Sequence, residues 1–318
     1  MKISRLILMM SAVCFVTTPV WAQTVGLGTT KRGAQATIAA TIAKAVSSHT
    51  DLKMRTETQA GTPVIMANVN SGKLEFGVSN IVELRFGVTG TSLAARRPTP
   101  NLRLVGRLMS FLAGPLVVDS SPIKRLIEVK GKRASGGFNP QPLPRILHQA
   151  YFANAGMSYK DVTIVPATGW GDHWNQMKQG RIDVGSIGVG TGVAKELEAK
   201  LGKLRYLDLD PSAAAVARMR QHLPGTDVVM AKPSPKIRIP GLHKPTYVMA
   251  LDYTIWAGKH VDSGIVYKVT KALYDHDDEL RSGGVHWRRY DRALIAKDLG
   301  VTHHPGAVKY FREKGLIK

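Results

Sequence analysis

Short apolar runs alternate with amphipathic stretches along the first third of the chain. The strand-like runs, each paired with the helix-like stretch that follows it, fall at residues 24–27 and 34–47, 52–56 and 63–71, and 76–78 and 81–86. In the first helix-like stretch Ile38, Ile42 and Val46 recur at four-residue intervals, which places one apolar stripe on a helix. This alternation predicts βαβ units and a parallel sheet.

The same pattern starts again in the second part of the chain. Further strands are predicted at residues 102–111, 115–118, 132–135, 162–165, 181–185, 204–209 and 246–256. Further helices are predicted at residues 143–155, 171–178, 211–222, 264–276 and 306–314, with Asp210 as the cap of the third.

Two α/β lobes joined by crossing strands near Val117 and Val248 follow from this restart. Each lobe is expected to be a mostly parallel sheet flanked by helices, with a ligand cleft between the lobes that closes about a hinge. The first lobe is predicted from residues 23–117 and 249–318, and the second lobe from residues 118–248.

The amino end has the pattern of an export signal. Lys2 and Arg5 precede an almost unbroken apolar run at residues 6–16, and Val20-Trp21-Ala22 ends in a small residue. We expect cleavage after Ala22 and a periplasmic location. The only cysteine, Cys14, lies within this predicted leader, so the remaining chain can form neither a disulfide nor a cysteine metal site.

The chain is strongly basic, with a formal net charge of +21 to which the leader's Lys2 and Arg5 contribute two. Such a field suits nucleic acid, an anionic membrane surface or anionic small solutes steered towards a cleft. The basic residues are spread along the whole chain without a basic tail or an aromatic-basic motif, which argues against nucleic acid. A solvated, charged surface without a binding role is the alternative.

Three strand-to-helix turns of the first lobe are candidate ligand loops. The first contains Thr29, Thr30, Lys31 and Arg32, where backbone N–H groups and two cations would face an anion. The others are expected to contribute neutral hydrogen-bonding groups, from Gly61 and Thr62 and from Ser79 and Asn80.

The second lobe offers a matching set of candidate residues. The loop before the helix predicted at residues 143–155 contains glycine, which lets a ligand approach the backbone closely, an aromatic side chain on which a ligand could rest, and side-chain amides. Arg145 lies one turn inside that helix. A guanidinium there would bind a carboxylate in bidentate fashion. The other candidates of this lobe are Gly137, Phe138, Asn139, Gln141, Trp170 and Gly188.

Motifs of known catalytic and cofactor sites are absent from the sequence. Residues 28–33 have the glycine spacing of a phosphate-binding loop, but Ala34 and Gln35 stand where lysine and serine or threonine are needed. The ten histidines form no zinc-protease motif, and no nucleophile elbow occurs. We therefore expect no enzyme, no cofactor and no metal.

Four segments together resemble a known family. They are residues 26–33 (GLGTTKRG), 180–184 (GRIDV), 266–273 (VYKVTKAL) and 304–311 (HPGAVKYF), the last being the most specific. The chain resembles the TAXI-type solute receptors of tripartite ATP-independent periplasmic (TRAP) transporters over nearly all of the sequence after the leader.

This resemblance implies a type II periplasmic-binding-protein fold, a membrane permease as partner, and a cargo such as glutamate, a dicarboxylate or a related organic acid. It supports rim positions at Thr30, Gly61, Asn80, Gly137 and Gly188. The sequence differs from the family pattern at Lys31-Arg32 and at residues 137–139 (GFN).

Three other functions stay open at this stage. A receptor for an ABC importer has the same architecture, a periplasmic hydrolase or transferase would need a nucleophile and base that the sequence does not show, and a sensor or adhesion protein would bind another protein.

Overall fold

A computed structural model describes residues 23–91, 97–139 and 141–318. The predicted export signal, residues 1–22, lies outside the described residues. The strands are β1 Gln23–Thr30, β2 Leu52–Gln59, β3 Phe76–Asn80, β4 Leu102–Val118, β5 Arg133–Gly137, β6 Thr163–Ala167, β7 Gly185–Gly188, β8 Leu204–Tyr206, β9 Asp227–Ala231 and β10 Thr246–Gly258.

The helices alternate with these strands over much of the described chain. They are α1 Ala34–His49, α2 Thr62–Asn70, α3 Ile81–Thr89, α4 Leu143–Asn154, α5 Trp170–Lys178, α6 Gly192–Leu201, α7 Ala213–His222, α8 Ser263–Asp275, α9 Asp277–Ser282 and α10 Pro305–Glu313. None of these helices is long and apolar enough to cross a membrane.

Eight of the described strands form one curled sheet, and β5 and β6 form a second, parallel pair. The first lobe contains the parallel set β2-β1-β3. Next to β3 the long strands β10 and β4 run antiparallel to their neighbours, and β7, β8 and β9 extend the sheet into the second lobe. The two-lobed α/β fold is confirmed, and the sheet is parallel at its outer part and antiparallel where it crosses between the lobes.

β4 and β10 are the connection between the lobes. They pair along most of their length, from Met249 opposite Ala113 to Gly258 opposite Leu102, with register shifts after Tyr253 and after Ile255. Such irregularities locally weaken and twist a ladder, so this is the part of the crossing strands best suited to bend.

Apolar side chains fill both sides of the sheet. The predicted stripe of α1 is confirmed, because Ile38, Ile42 and Val46 are fully buried in a core shared with α8 and α10. A separate core contains Leu116 and Ile187 together with residues of α6 and β8.

Several boundaries differ from the sequence expectation. β4 is one continuous strand where two were predicted, and β7 spans Gly185–Gly188 rather than residues 181–185, since the preceding segment is held by Asp183, whose carboxylate accepts hydrogen bonds from Arg133. α6 and β9 were not predicted.

The predicted cap of α7 is also wrong. The helix begins at Ala213, and the Ser212 hydroxyl accepts the capping hydrogen bond from the Ala215 N–H. Asp210 lies two residues before Ser212, and its carboxylate accepts a hydrogen bond from the Ser212 N–H.

Candidate functional site

A cleft of about 770 Å³ lies between the two lobes. Its first-lobe wall consists of the carboxyl ends of β1, β2 and β3 with the amino ends of α1, α2 and α3, and its second-lobe wall consists of the start of α4, one face of α5 and the end of β7. Phe111 of β4 and Tyr253 of β10 lie between these walls. Parallel strands carry their helix-leading turns at one edge, so the topology itself assembles this wall.

Many of the residues predicted to bind a ligand line this cleft. They are Thr30, Lys31, Arg32, Gly61, Thr62, Asn80, Gln141, Trp170 and Gly188. Turns from both lobes therefore surround one space, as predicted. That these residues contact a ligand stays a prediction.

The other predicted residues are not on the cleft wall. Thr29 is buried within β1, and Ser79 is fully buried, where its hydroxyl accepts a hydrogen bond of 3.1 Å from the Trp256 indole N–H. A β-strand turns alternate side chains to opposite faces, so residues next to a wall residue point into the protein.

Three residues of the loop after β5 also differ from the expectation. Phe138 is fully buried against the rings of His148 and His173 instead of forming an exposed platform. Gly137 and Asn139 are exposed but not on the cleft wall. The left-handed backbone at both Gly137 (φ 90°) and Phe138 (φ 57°) turns the loop so that the aromatic ring faces inwards.

Arg145 is half-buried on α4 and does not line the cleft. Its positive charge instead lowers the pKa of the buried Tyr159 phenol, against the larger rise that burial causes. The predicted carboxylate clamp at this residue therefore has no support from its position.

Three of the helices that reach the cleft start after a glycine. Gly33, Gly61 and Gly169 precede α1, α2 and α5 and have no side chain that could cap them; the first N–H of α5, that of Trp170, donates to Gln141 Oε1, which leaves the starts of α1 and α2 uncapped. Free N–H groups in a first turn carry partial positive charge and attract anions. Lys31 and Arg32, both exposed, add two full charges beside the start of α1.

One carboxyl group lies in the same wall. Glu83 is 8% exposed, in the first turn of α3, and its Oε2 accepts a hydrogen bond of 2.7 Å from Asn80 Nδ2. Burial raises the pKa of Glu83 to about 7, against the opposite effect of hydrogen bonds from Thr62 and Asn80. The sequence analysis missed Glu83, although Asn80 followed three residues later by glutamate is a recognisable helix-start pattern.

Aromatic and amide side chains complete the wall on the second-lobe side. The rings of Trp170 and Trp174 stack with centroids 5.7 Å apart. Residues that the sequence analysis did not single out include Gln35, Thr58, Gln59, Phe111, Asn175, Ser186, Thr191 and Tyr253. Most of these lie within helices or strands, where no loop signal marks them.

Gln141 connects the two lobes at the edge of the cleft. Its Nε2 donates a hydrogen bond of 3.0 Å to the Ala60 carbonyl of the first lobe, and its Oε1 accepts one of 3.0 Å from the Trp170 N–H of the second. A methyl group at Gly169 would come within 2.3 Å of the Gln141 amide, so glycine is required for this approach.

The described residues contain no group of three or more histidine, cysteine or acidic side chains that could hold a metal ion.

Comparison with known proteins gives one family and a common fold. The model of the NMT1-like family matches residues 29–315. A structure described as a periplasmic transporter has a TM-score of 0.55 at 14% identity, covering 95% of this chain and 95% of that one.

Two further solved structures are similar at the level of the fold. PhnD1 of Prochlorococcus marinus, in complex with methylphosphonate, gives a TM-score of 0.53 at 13% identity, covering 93% of this chain and 100% of that one. A putative periplasmic sulfonate-binding protein, SsuA of Methylobacillus flagellatus, gives 0.51 at 12% identity, covering 93% and 96%.

Proposed function

The chain belongs to the NMT1-like family, and we propose that it is a periplasmic solute-binding protein, not an enzyme, that captures a small organic anion or amino acid for a membrane transporter. Glutamate or a dicarboxylate is the expected type of cargo. The observation that carries this proposal is the cleft between the lobes, where uncapped helix amino ends and two cations face one space.

The chemistry of the cleft favours an anionic group at the end formed by α1 and α2. Backbone N–H groups at the two glycine-led helix starts would bind carboxylate oxygens, and Lys31 and Arg32 would supply compensating charge. The space of about 770 Å³ falls in the range of about 300 to 1,000 Å³ that is typical of small-molecule sites.

The ligand contacts that we propose are the predicted residues that line the cleft. Thr30, Lys31, Arg32, Gly61, Thr62 and Asn80 would act from the first lobe, and Gln141, Trp170 and Gly188 from the second. The lobes would be formed by residues 23–117 with 249–318, and by residues 118–248, moving about β4 and β10.

The partner that we propose is the permease of a TRAP transporter, because residues 304–311 and the other three segments resemble TAXI-type receptors. A cleavable signal at residues 1–22 would deliver the protein to the periplasm. A receptor of an ABC importer is the second candidate, since the fold is shared with a protein named as part of a putative sulfonate ABC transporter.

The cargo can be identified directly by mass spectrometry of small molecules released from the purified protein, followed by thermal-shift screening of organic acids and amino acids. We expect at least one carboxylate-bearing compound to raise the melting temperature. Arg32→Ala should weaken its binding about tenfold, which corresponds to one charged hydrogen bond.

Arg55→Ala is the matched control, because Arg55 is an exposed arginine of β2 that does not line the cleft. It removes the same charge from the molecule and should leave the affinity unchanged. Equal losses of affinity in the two variants would mean that only the overall electrostatic field of the protein acts on the ligand. If no compound raises the melting temperature, the proposed function is contradicted.

A further inference from the structure

Glu83 is a buried carboxyl group in the wall of the cleft. It lines the same space as Lys31 and Arg32, yet only 8% of its surface is exposed. The side chain lies between the starts of α2 and α3, close to where an anion bound by α1 and α2 would sit.

The direct partners of Glu83 are neutral. Asn80 Nδ2 donates to its Oε2, and the Thr62 hydroxyl of α2 also forms a hydrogen bond with it. Among the described residues no lysine, arginine or histidine forms an ion pair with Glu83, whereas Asp252 of β10 is paired with Arg107 and Lys297.

The other titratable groups near Glu83 are few. Tyr253 of β10 faces it, and burial together with the charge of Glu83 raises the pKa of that phenol, which keeps it neutral. The packed elements α2 and β3 carry no titratable side chain. The cations of the cleft wall are Lys31 and Arg32, on the exposed turn after β1.

Both charge states of Glu83 are therefore accessible near neutral pH. Its pKa, raised by burial to about 7, means that neither form is strongly favoured before a ligand arrives. An anion placed in the same desolvated space disfavours a second negative charge and stabilises the protonated carboxyl.

We propose that Glu83 determines the charge state in which the cleft accepts its cargo: its protonated carboxyl donates a hydrogen bond to an oxygen of the bound organic anion, so that each anion binds together with one proton. The proton comes from solvent and resides on a carboxyl oxygen of Glu83. This inference rests on the proposed function, since it requires an anionic cargo in the cleft.

The direction of the pH dependence follows from linkage. The bound state has the higher Glu83 pKa, so affinity is greatest below the pKa of the free protein and falls as pH rises through about 7 until the bound-state value is reached. In that interval the limiting slope is about tenfold per pH unit.

Titration calorimetry with glutarate and with methanesulfonate tests this proposal between pH 6.5 and 8.5, in two buffers that differ in ionisation enthalpy. Methanesulfonate stays fully ionised over this range, so any proton taken up belongs to the protein. For the wild-type protein we expect proton uptake approaching one per anion bound and a loss of affinity of about tenfold towards pH 8.5.

Glu83→Gln should bind the same anion with no proton uptake and no loss of affinity as pH rises, because the carboxamide donates an N–H without titrating. Glu198→Gln is the control for loss of a buried carboxylate elsewhere, since Glu198 is also 8% exposed but lies on α6 away from the cleft, where it is paired with Arg238. It should keep the wild-type pH dependence. The wild-type proton count does not depend on whether either variant folds.

Two results would overturn the inference while leaving the proposed function intact. One is anion binding without proton uptake in the wild-type protein. The other is a cargo with an ammonium group that releases a proton on binding and is lost in Glu83→Gln, which would make Glu83 its charged partner. Failure of every organic acid to bind at any pH would instead contradict the proposed function itself.

Discussion

Gly77 and Trp256 pack against each other in the interior of the first lobe, beneath the cleft. They lie opposite each other on β3 and β10, and the fully buried indole occupies the space that a side chain at position 77 would need. The indole N–H donates to the Ser79 hydroxyl, which explains why Ser79 anchors this tryptophan instead of facing a ligand.

Gly77→Ala should destabilise the protein by about 1 to 3 kcal/mol, because the added methyl carbon would lie 2.2 Å from the Trp256 ring and the core would have to move. Chemical denaturation followed by tryptophan fluorescence measures this loss. Gly192→Ala, at the start of α6 with no atom within 4 Å of the new methyl, is the control and should change stability by less than about 0.5 kcal/mol. Equal stability of the two variants would show that a methyl group at position 77 does not collide with the Trp256 ring.

A buried polar network joins three elements of the second lobe behind the cleft. The Ser135 hydroxyl of β5 donates to Gln176 Oε1 at 2.7 Å and lies 2.9 Å from His173 Nδ1, so that ring nitrogen is the donor to it. His173 Nε2 accepts from the Ser186 N–H at 2.8 Å, and Ser186 lines the cleft. The network thus holds the end of β7 in place through α5.

Two buried histidines of the second lobe make the stability of the protein sensitive to acid. Burial lowers the pKa of His148 to about 4 and that of neighbouring His173 well below its usual value. Because the folded-state pKa is depressed, both rings are neutral in the folded protein, and stability is lost as pH falls below about 6.5, by roughly 1.4 kcal/mol per unit for each ring.

Unfolding by urea at pH 7.0, 6.0 and 5.0 measures this slope. His148→Gln should reduce the slope by roughly 1.4 kcal/mol per pH unit, and His260→Gln, at an exposed position, is the control. A wild-type stability that does not fall across this range would contradict the buried, neutral state of both rings.

At the scale of the whole molecule, the two lobes contact each other at the edge of the cleft as well as through β4 and β10. Gln141 hydrogen-bonds Ala60 in one lobe and Trp170 in the other. The start of α1 also approaches α5, where a methyl group at Gly33 would lie 3.5 Å from the Trp174 ring. The hydrogen bond between Gln141 and Ala60 favours the closed arrangement of the lobes.

Gln141→Ala should lower cargo affinity by about two- to tenfold, since the neutral hydrogen bond to Ala60 that joins the two lobes is lost. It should also increase the radius of gyration of the ligand-free protein in small-angle X-ray scattering. Gln149→Ala, on α4 and away from the cleft wall, is the control. Unchanged affinity and radius in Gln141→Ala would show that this contact does not stabilise the closed form.

The α/β alternation, the two-lobed fold and the turns that meet at the cleft could be predicted from the sequence. Local signals suffice for these features, because the apolar stripe of α1 and the glycines at positions 33 and 61 influence only residues that are close by in the sequence. They did not reveal α6 or β9, nor that Phe138 turns inwards.

Which residues of those turns face the cleft, and which charges meet there, depends on packing between elements that are distant in sequence. Ser79 is directed away from the cleft by Trp256, a partner distant in sequence, and Glu83 is a site residue because Thr62 and Tyr253, from other elements, surround it. Desolvation depends on everything packed around a group, and no local pattern encodes it.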